Sequence, residues 1–193
     1  MRTNKALTKP TSEPVSLSLV KTHIAVDHSD DDALIVRQIK AARSLCEEYT
    51  GRVFGSRNYR MRLSCWPDGG IIAFPVQPVT AITSITYIDA DGDSQAVNAS
   101  NWRANLDANP PYLRLVTGFT YPVTDPDEPA AITVLYTAGD AADDVPELVE
   151  NAVLLIVQYW RNFPGGEPSL GHLSLGMPAG AIALLDKLWD GGL

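Results

Sequence analysis

The residues with the plainest potential for chemistry are three alternating acids, Asp89, Asp91 and Asp93, because alternate carboxylates open a calcium-binding loop. Such a loop also needs glycine at its sixth position and glutamate at its twelfth, where this chain has Ser94 and Ser100. A strand rather than a helix is predicted before the motif, and Asp-Gly between two strands is the signal of a hairpin turn. We therefore predict a β-hairpin turn here, without a metal ion.

Other residue types that could support chemistry are scattered along the chain. His23, His28 and His172 lie far apart, and no pair has the spacing of metal ligands on one helix. Neither Cys46 nor Cys65 lies in a catalytic signature, and Cys46 falls at a core position of a predicted helix. The phosphate-binding loop, the dinucleotide-binding glycine motif and the G-x-S-x-G nucleophile motif are missing from the sequence. We predict no catalytic, cofactor-binding or metal-ligating residue, and therefore a protein that is not an enzyme.

Charge is unevenly placed along the chain. The 193 residues are 45% hydrophobic and 20% charged, which is ordinary for a globular protein, and the formal net charge is −8. Between Arg114 and Arg161 there are acids but no lysine or arginine. A protein this acidic has no general affinity for DNA phosphates. Two interpretations stay open: the acids keep the protein soluble, or they keep a surface from holding DNA that passes it.

The sequence also bears on the membrane. No apolar run approaches the roughly 18–20 residues that span a bilayer, and the polar start of the chain lacks the apolar core of a signal peptide. We expect a protein made in the cytoplasm, with no membrane segment.

Two helices are predicted over residues 14–54. Ser16 is the expected N-cap of a short first helix, and Gly51 is expected to end a longer second helix of about 20 residues. The apolar side chains of the second helix follow a 4-3-4-3 spacing that indicates one buried face: Ile35, Ile39, Ala42, Cys46 and Tyr49.

Residues 57–137 change to a period of two. Tyr59, Met61 and Leu63 alternate with polar residues, which predicts a strand with one face in water. Further short strands are expected at 71–74, 79–88, 102–105, 112–115 and 132–137, with prolines and glycines between them. Short strands with no helix among them predict an antiparallel sheet or small sandwich.

Residues 144–162 return to a helical period, with Asp144 and Glu147 spaced as a capping box. This helix is apolar on two sides, and a last short helix follows a glycine-rich segment, so we expect spare apolar surface for contacts between subunits. The hypothetical interface residues are Val149, Val153, Ile156, Trp160, Leu184, Leu185, Leu188 and Trp189. Packing of the last helix on its own subunit is the equally weighted alternative.

The predicted fold class is α+β: an antiparallel helical unit, formed by N- and C-terminal helices, with an inserted antiparallel β-rich lobe. Four parts of the chain are predicted: a basic N-terminal arm at 1–13, a helical connector domain at 14–56 and 138–163, the β-rich lobe at 57–137, and a flexible segment with the C-terminal helix at 164–193.

Several motifs, in order, resemble the head–tail connector (adaptor) family of tailed phages, in its longer members with a β insertion. They include Ile24-Ala25-Val26-Asp27 in the turn between two helices and Thr50-Gly51-Arg52 at the end of the second helix. Ala25 departs from the pattern, since a basic residue is commoner there. Later matches are Thr86 to Gly92, Val145-Pro146, and Tyr159 to Asn162.

This resemblance implies a structural virion protein of a phage or gene-transfer particle. Its implied role is that of a subunit in a ring, of twelve copies, which joins the capsid portal to a stopper or tail and extends the DNA channel. The implied partners are the portal protein, a stopper or tail-completion protein and identical subunits, with packaged DNA passing through without sequence-specific binding. The implied location is the head–tail junction of the virion, after the host cytoplasm. The alternative is a non-catalytic ligand-binding or adhesion β-module of a virion or surface protein.

Overall fold

The computed structural model describes residues 2–141, 144–164 and 176–188. The chain forms two compact units, each assembled from two separate stretches of sequence. The β unit consists of Met1–Pro10 and Ser56–Asp140, and the helical unit consists of Thr11–Gly55 and Ala141–Leu193. The helices and the antiparallel sheets lie in different units, which confirms the predicted α+β class.

The described part of the helical unit contains four α-helices, and the start of the first and the end of the second lie at residues suited to helix ends. They are α1 (Leu17–His23), α2 (Asp32–Thr50), α3 (Glu147–Asn162) and α4 (Ala179–Leu185). The Ser16 hydroxyl accepts a hydrogen bond from the Leu19 N–H at 3.2 Å, as an N-cap should. Gly51 ends α2 with φ of 69°, a left-handed conformation that glycine adopts without steric cost.

The capping box predicted for α3 was wrong. Pro146 occupies the N-cap position, and no side chain makes a capping hydrogen bond there. Asp144 lies two residues before the cap, too early for its carboxylate to serve the first free N–H groups of the helix. Acidic residues in the first turn, Glu147 and Glu150, still suit the positive end of the helix dipole.

The core of the helical unit confirms the periodicity predicted for α2. Ile35, Ile39, Ala42 and Cys46 are buried there, and Tyr49 packs against them while remaining partly exposed. These side chains meet the buried faces of α3 and α4. Each large aliphatic side chain buried in this way contributes about 1.5–3 kcal/mol, so the unit is held mainly by apolar packing.

The β unit contains two antiparallel sheets. The strands are β1 (Arg2–Ala6), β2 (Arg57–Leu63), β3 (Ile71–Ala73), β4 (Val79–Ile88), β5 (Ser94–Ala96), β6 (Trp102–Asn105), β7 (Tyr112–Leu115) and β8 (Ile132–Ala138). The larger sheet has the order β1-β2-β8-β4-β5, and the smaller has the order β3-β7-β6. Tyr59 and Met61 point into the core, as their alternation predicted.

An aromatic group joins the two sheets of the β unit. The Tyr136 ring lies 5.4 Å from the Tyr59 ring and 4.7 Å from that of Phe74, between ring centroids. Its hydroxyl donates to the Asn4 side-chain oxygen at 2.9 Å. Burial raises the pKa of this phenol, so the hydroxyl stays a neutral donor.

The N-terminal residues differ from the predicted arm. Residues 2–6 form the edge strand β1, which pairs with β2 in an unbroken register from Arg2 opposite Leu63 to Ala6 opposite Tyr59. Arg2 also donates to the Ala73 carbonyl at 3.1 Å. The five residues have no alternation of apolar and polar side chains, because backbone pairing rather than side-chain burial holds them.

A helix that spans a membrane must be both long and apolar. None of the helices in the described residues meets both requirements.

Candidate assembly surfaces

The Asp89–Asp93 segment forms the turn between β4 and β5, as predicted. One Asp89 carboxylate oxygen accepts from the N–H groups of Asp91 at 3.1 Å and Asp93 at 2.9 Å, and the other accepts from the Gln95 amide at 2.8 Å. These bonds, that from Gln95 most of all, lower the pKa of the Asp89 carboxyl. Its oxygens are therefore engaged in shaping the turn. Across the described residues, no three His, Cys, Asp or Glu side chains form a group that could hold a metal ion.

The two cysteines have opposite environments. Cys46 is buried in the helical core, and burial raises the pKa of its thiol to about 12. Cys65 is exposed in the β unit. The expected role of Cys46 as a small apolar core residue agrees with this burial, since a thiol with so high a pKa is a poor nucleophile at neutral pH.

Three of the predicted interface residues on α3 lie in the core of the helical unit. Val149, Val153 and Ile156 are fully buried in the core that residues of α2 and α4 share with α3. Their packing within one unit is a sufficient physical reason for their apolar character. Sequence periodicity could not make this distinction, because a face that covers a neighbouring helix and a face that covers another subunit have the same spacing.

The C-terminal helix α4 packs on the same unit. Leu185 is fully buried, and Leu184 and Leu188 are partly buried against the same core. The Tyr49 hydroxyl donates to the Asp186 carboxylate, and this bond is the main reason that the pKa of Tyr49 is raised. Trp189, the predicted tip of the interface, lies outside the described residues.

Trp160 fastens the segment that leads into α4. Its indole N–H donates to the Gly176 carbonyl at 2.7 Å, and its ring is partly buried. Met177, next in the chain, is buried in the core. The last predicted interface residue on α3 therefore has a structural task within its own unit.

A buried cation, which the sequence patterns did not single out, holds three parts of the helical unit together. Arg43 is only 6% exposed and donates to Glu13 at 2.8 Å and to Glu47 at 2.8 Å. Glu47 also accepts from the Phe54 N–H at 2.9 Å. Burial opposes the charge on Arg43, but the two carboxylates outweigh it and raise its pKa. In the sequence, the four-residue spacing of Arg43 and Glu47 on one predicted helix is the pattern that could have indicated this ion pair.

An apolar groove lies at the end of α3. Its volume is about 530 Å³, and its lining includes Leu34, Gln38, Tyr159 and Phe163. Leu34 is 52% and Phe163 39% exposed, although both are large apolar residues. The buried side-chain amide oxygen of Gln38 has no hydrogen-bond partner within the described parts of the chain. This groove is an exposed apolar feature of the helical unit.

The β unit has an aromatic surface of its own. The Trp66 ring contacts Tyr87 at 6.0 Å and Tyr121 at 6.1 Å between centroids, and its N–H donates to the Pro122 carbonyl at 3.0 Å. Beside them, Val123 is 75% exposed. Tyr121 is exposed as well, and a group of exposed apolar side chains, unlike a single one, is typical of a contact surface.

The two units differ in net charge. The β unit has eight lysines and arginines and nine acids, a net charge of −1, whereas the helical unit has seven and fourteen, a net charge of −7. None of the β-unit acids lies in a described strand. The acidity seen in the whole chain is therefore a property of the helical unit.

Comparisons with known proteins give a family from one match and a shared fold from solved structures. The family model of the head completion protein matches residues 15–163. No curated protein sequence matches the chain significantly. Among solved structures, a chain from the "Neck of empty GTA particle computed with C6 symmetry" superimposes with a TM-score of 0.79 at 21% identity, covering 96% of this chain and 94% of the other.

Two further structures have the same fold. A chain of the "Virion of native gene transfer agent (GTA) particle" gives a TM-score of 0.77 at 22% identity, and one from the "Neck of native GTA particle computed with C12 symmetry" gives 0.76 at 21%. Each comparison covers 96% of this chain and 94% of the other. The family match includes the β insertion and the helices on both sides of it. On this match, the chain belongs to the head completion protein family.

Proposed function

We propose that the chain is one subunit of a ring that joins the portal of a DNA-filled head to a stopper or tail and extends the DNA channel. The observation that carries this proposal is the family match over residues 15–163, which makes the chain a structural head-completion protein of a virion. The fold similarity to chains of a particle neck, over 96% of this chain, supports a place at the head–tail junction.

The proposed ring has twelve subunits. Support comes from the neck structures with the same fold, which were computed with C6 and C12 symmetry. A closed ring of identical chains needs two different, complementary surfaces on each subunit. The two units of this chain differ in charge and in exposed apolar groups, which suits such an arrangement.

The predicted interface residues divide into two groups in this proposal. Leu184, Leu188 and Trp160 are partly buried and could contact the portal or a neighbouring subunit without a change of fold. Val149, Val153, Ile156 and Leu185 are fully buried, so they would take part only after a change in the packing of the helical unit. Trp189 stays a proposed portal contact.

The proposed role is structural and not catalytic. In the ring, packaged DNA would pass the subunit without sequence-specific binding. The net charge of −7 on the helical unit supports this, since an acidic wall repels phosphates and favours sliding over attachment.

The test is particle completion in cells that make the particle without this chain. We expect DNA-filled heads without tails, and we expect the wild-type chain, supplied in trans, to restore tailed particles. Labelling an affinity tag on the restored chain should place it at the neck by electron microscopy. Normal numbers of tailed particles in its absence would refute the proposal.

A ligand-binding or adhesion module is the second candidate. The exposed ring of Tyr121, which stacks on the half-buried ring of Trp66, favours it, because aromatic side chains are common in binding sites. This candidate predicts that Trp66→Ala abolishes attachment of particles to cells but leaves head–tail joining intact.

A further inference from the structure

The outer face of the five-stranded sheet carries an unusual set of charges. On β2, Arg60 and Arg62 point away from the core, since Tyr59 and Met61 between and beside them are buried. Lys5 on β1 lies directly opposite Arg60. Directly opposite residues are about 5 Å apart, and alternate residues of one strand about 7 Å. Three cations therefore share one small area of the sheet.

This arrangement does not help folding. Like charges directly opposite each other in a sheet are destabilising. None of these three cations has an ion pair with any described residue. The same face has Thr133 and Leu135 on β8 beside the arginines, and no described strand of this sheet contains an acid that could neutralise them.

Protection of a sheet edge explains only part of the pattern. A lysine on an edge strand discourages pairing with another chain, and Lys5 on β1 can do this. Arg60 and Arg62 lie on β2, which is paired on both sides. Edge protection therefore does not account for these two arginines, whereas an anionic partner would.

The helical unit contains matching acids. Most of its other clustered acids are engaged: Asp31 with Arg161, Asp32 with Lys21, and Glu13 and Glu47 with Arg43. Asp144, Glu147 and Glu150 have no ion pair or side-chain hydrogen bond within the described residues. Asp27 and Glu48 have none either, but they stand apart in the chain, whereas these three acids are grouped. They lie at the start of α3, with Glu147 and Glu150 about one turn apart.

We propose that the cationic sheet face of one copy (Lys5, Arg60 and Arg62) binds the acidic start of α3 (Asp144, Glu147 and Glu150) of a second copy. This rests on the proposed ring, and it identifies the two complementary patches that a head-to-tail ring requires. A second copy fits better than DNA, because the chain itself supplies a matched set of three unpaired acids.

The experiment uses charge exchange in the full-length chain, with particle completion and electron microscopy of the ring as readouts. Arg60→Glu with Arg62→Glu should reduce completed particles on the order of tenfold or more, because like charges would then face each other across the contact. Glu147→Lys with Glu150→Lys should do the same. The variant with all four changes should restore completion, since complementarity returns with its sign reversed.

Controls separate folding and DNA binding from assembly. Arg103→Glu with Arg114→Glu makes the same charge change on a cross-strand pair of the smaller sheet and should leave completion unchanged. Melting temperature should not fall in Arg60→Glu with Arg62→Glu, since Lys5 would then face an opposite charge. Binding to a 30-base-pair duplex is measured by fluorescence anisotropy for the same variants.

Each outcome decides the matter. Unchanged completion in either charge-reversed pair overturns the contact. The contact is also overturned if Arg60→Glu with Arg62→Glu loses particle completion and the variant with all four changes does not restore it. If Arg60→Glu with Arg62→Glu then also loses binding to the duplex, the sheet face is assigned to DNA. Rings that form normally without this contact leave the proposed function intact, whereas failure of the wild-type chain to complete particles refutes the proposed function itself.

Discussion

The two units of this chain use their charges in different ways. In the helical unit, cations fasten elements to one another: Lys21 pairs with Asp32 at 2.7 Å, Arg161 with Asp31 at 3.1 Å, and Arg43 with two glutamates. In the β unit, the strand cations Lys5 and Arg60 point outward without an ion pair to a described residue. The helical-unit cations therefore stabilise their own unit, whereas Lys5 and Arg60 have no ion pair of that kind, which is the basis of the proposed contact with a second copy.

The largest expected effect tests whether α4 belongs to the helical core or to a detachable arm. Truncation after Pro164 would remove the buried Met177, Ala181 and Leu185 and expose the α3 face that they cover. We expect a loss of about 5 kcal/mol or more, comparable with the whole stability of a small domain. Helical circular dichroism during thermal unfolding should report it.

A chain that lacks only residues 189–193 is the control for this truncation. It keeps all described residues of α4 and should unfold like the wild type. If truncation after Pro164 leaves the melting temperature unchanged, α4 is an arm and not a core element. A folded truncation that fails to complete particles would support a docking role.

The next effect tests the charge clamp, by which we mean the ion pairs of Arg43 with Glu13 and Glu47. Arg43→Met should destabilise the helical unit by about 2–3 kcal/mol, because it leaves Glu13 and Glu47 partly buried without their cation. Chemical denaturation measures the change. Arg37→Met, on an exposed site of α2, is the matched control and should change stability by less than about 0.5 kcal/mol. Equal effects would show that the clamp contributes nothing specific.

A smaller effect is expected in the β unit. Tyr136→Phe removes the hydrogen bond to Asn4 and should cost about 1 kcal/mol, with faster hydrogen exchange in β1. Asn4→Ala should have a similar effect, and the double variant should lose little more than either single variant. Strict additivity would mean that the two side chains do not interact in solution.

The smallest effect concerns the thiols. At pH 8, Cys65 should react with a thiol reagent, and Cys46 should react only after unfolding, because a pKa of about 12 leaves roughly one thiolate in ten thousand. Folding raises this pKa from 9.0, so the unfolded chain releases the proton first. The stability that the protonated Cys46 thiol contributes is therefore fully present below about pH 9, and it is lost as the pH rises towards 12. Cys46→Ala should weaken that loss; rapid labelling of native Cys46 would contradict the burial.

The sequence by itself determined the α+β class, the change of period at both ends of the β insertion, and the turn at Asp89. These follow from local rules: helical spacing on α2, alternation on β2, and Asp-Gly between strands. The resemblance to connectors also held at the level of the family, because the motifs keep their order along the chain.

Only the tertiary structure decided where apolar helix faces go. Val153 and Leu185 have the same pattern whether they cover a helix of their own unit or another subunit, and packing assigned them to the core. Residues 2–6 became a strand through backbone pairing, which leaves no mark in side-chain periodicity. Lys5 and Arg60 are 55 positions apart in the sequence, and only the register of β1 against β2 makes them neighbours, because strand pairing joins residues that local rules cannot relate.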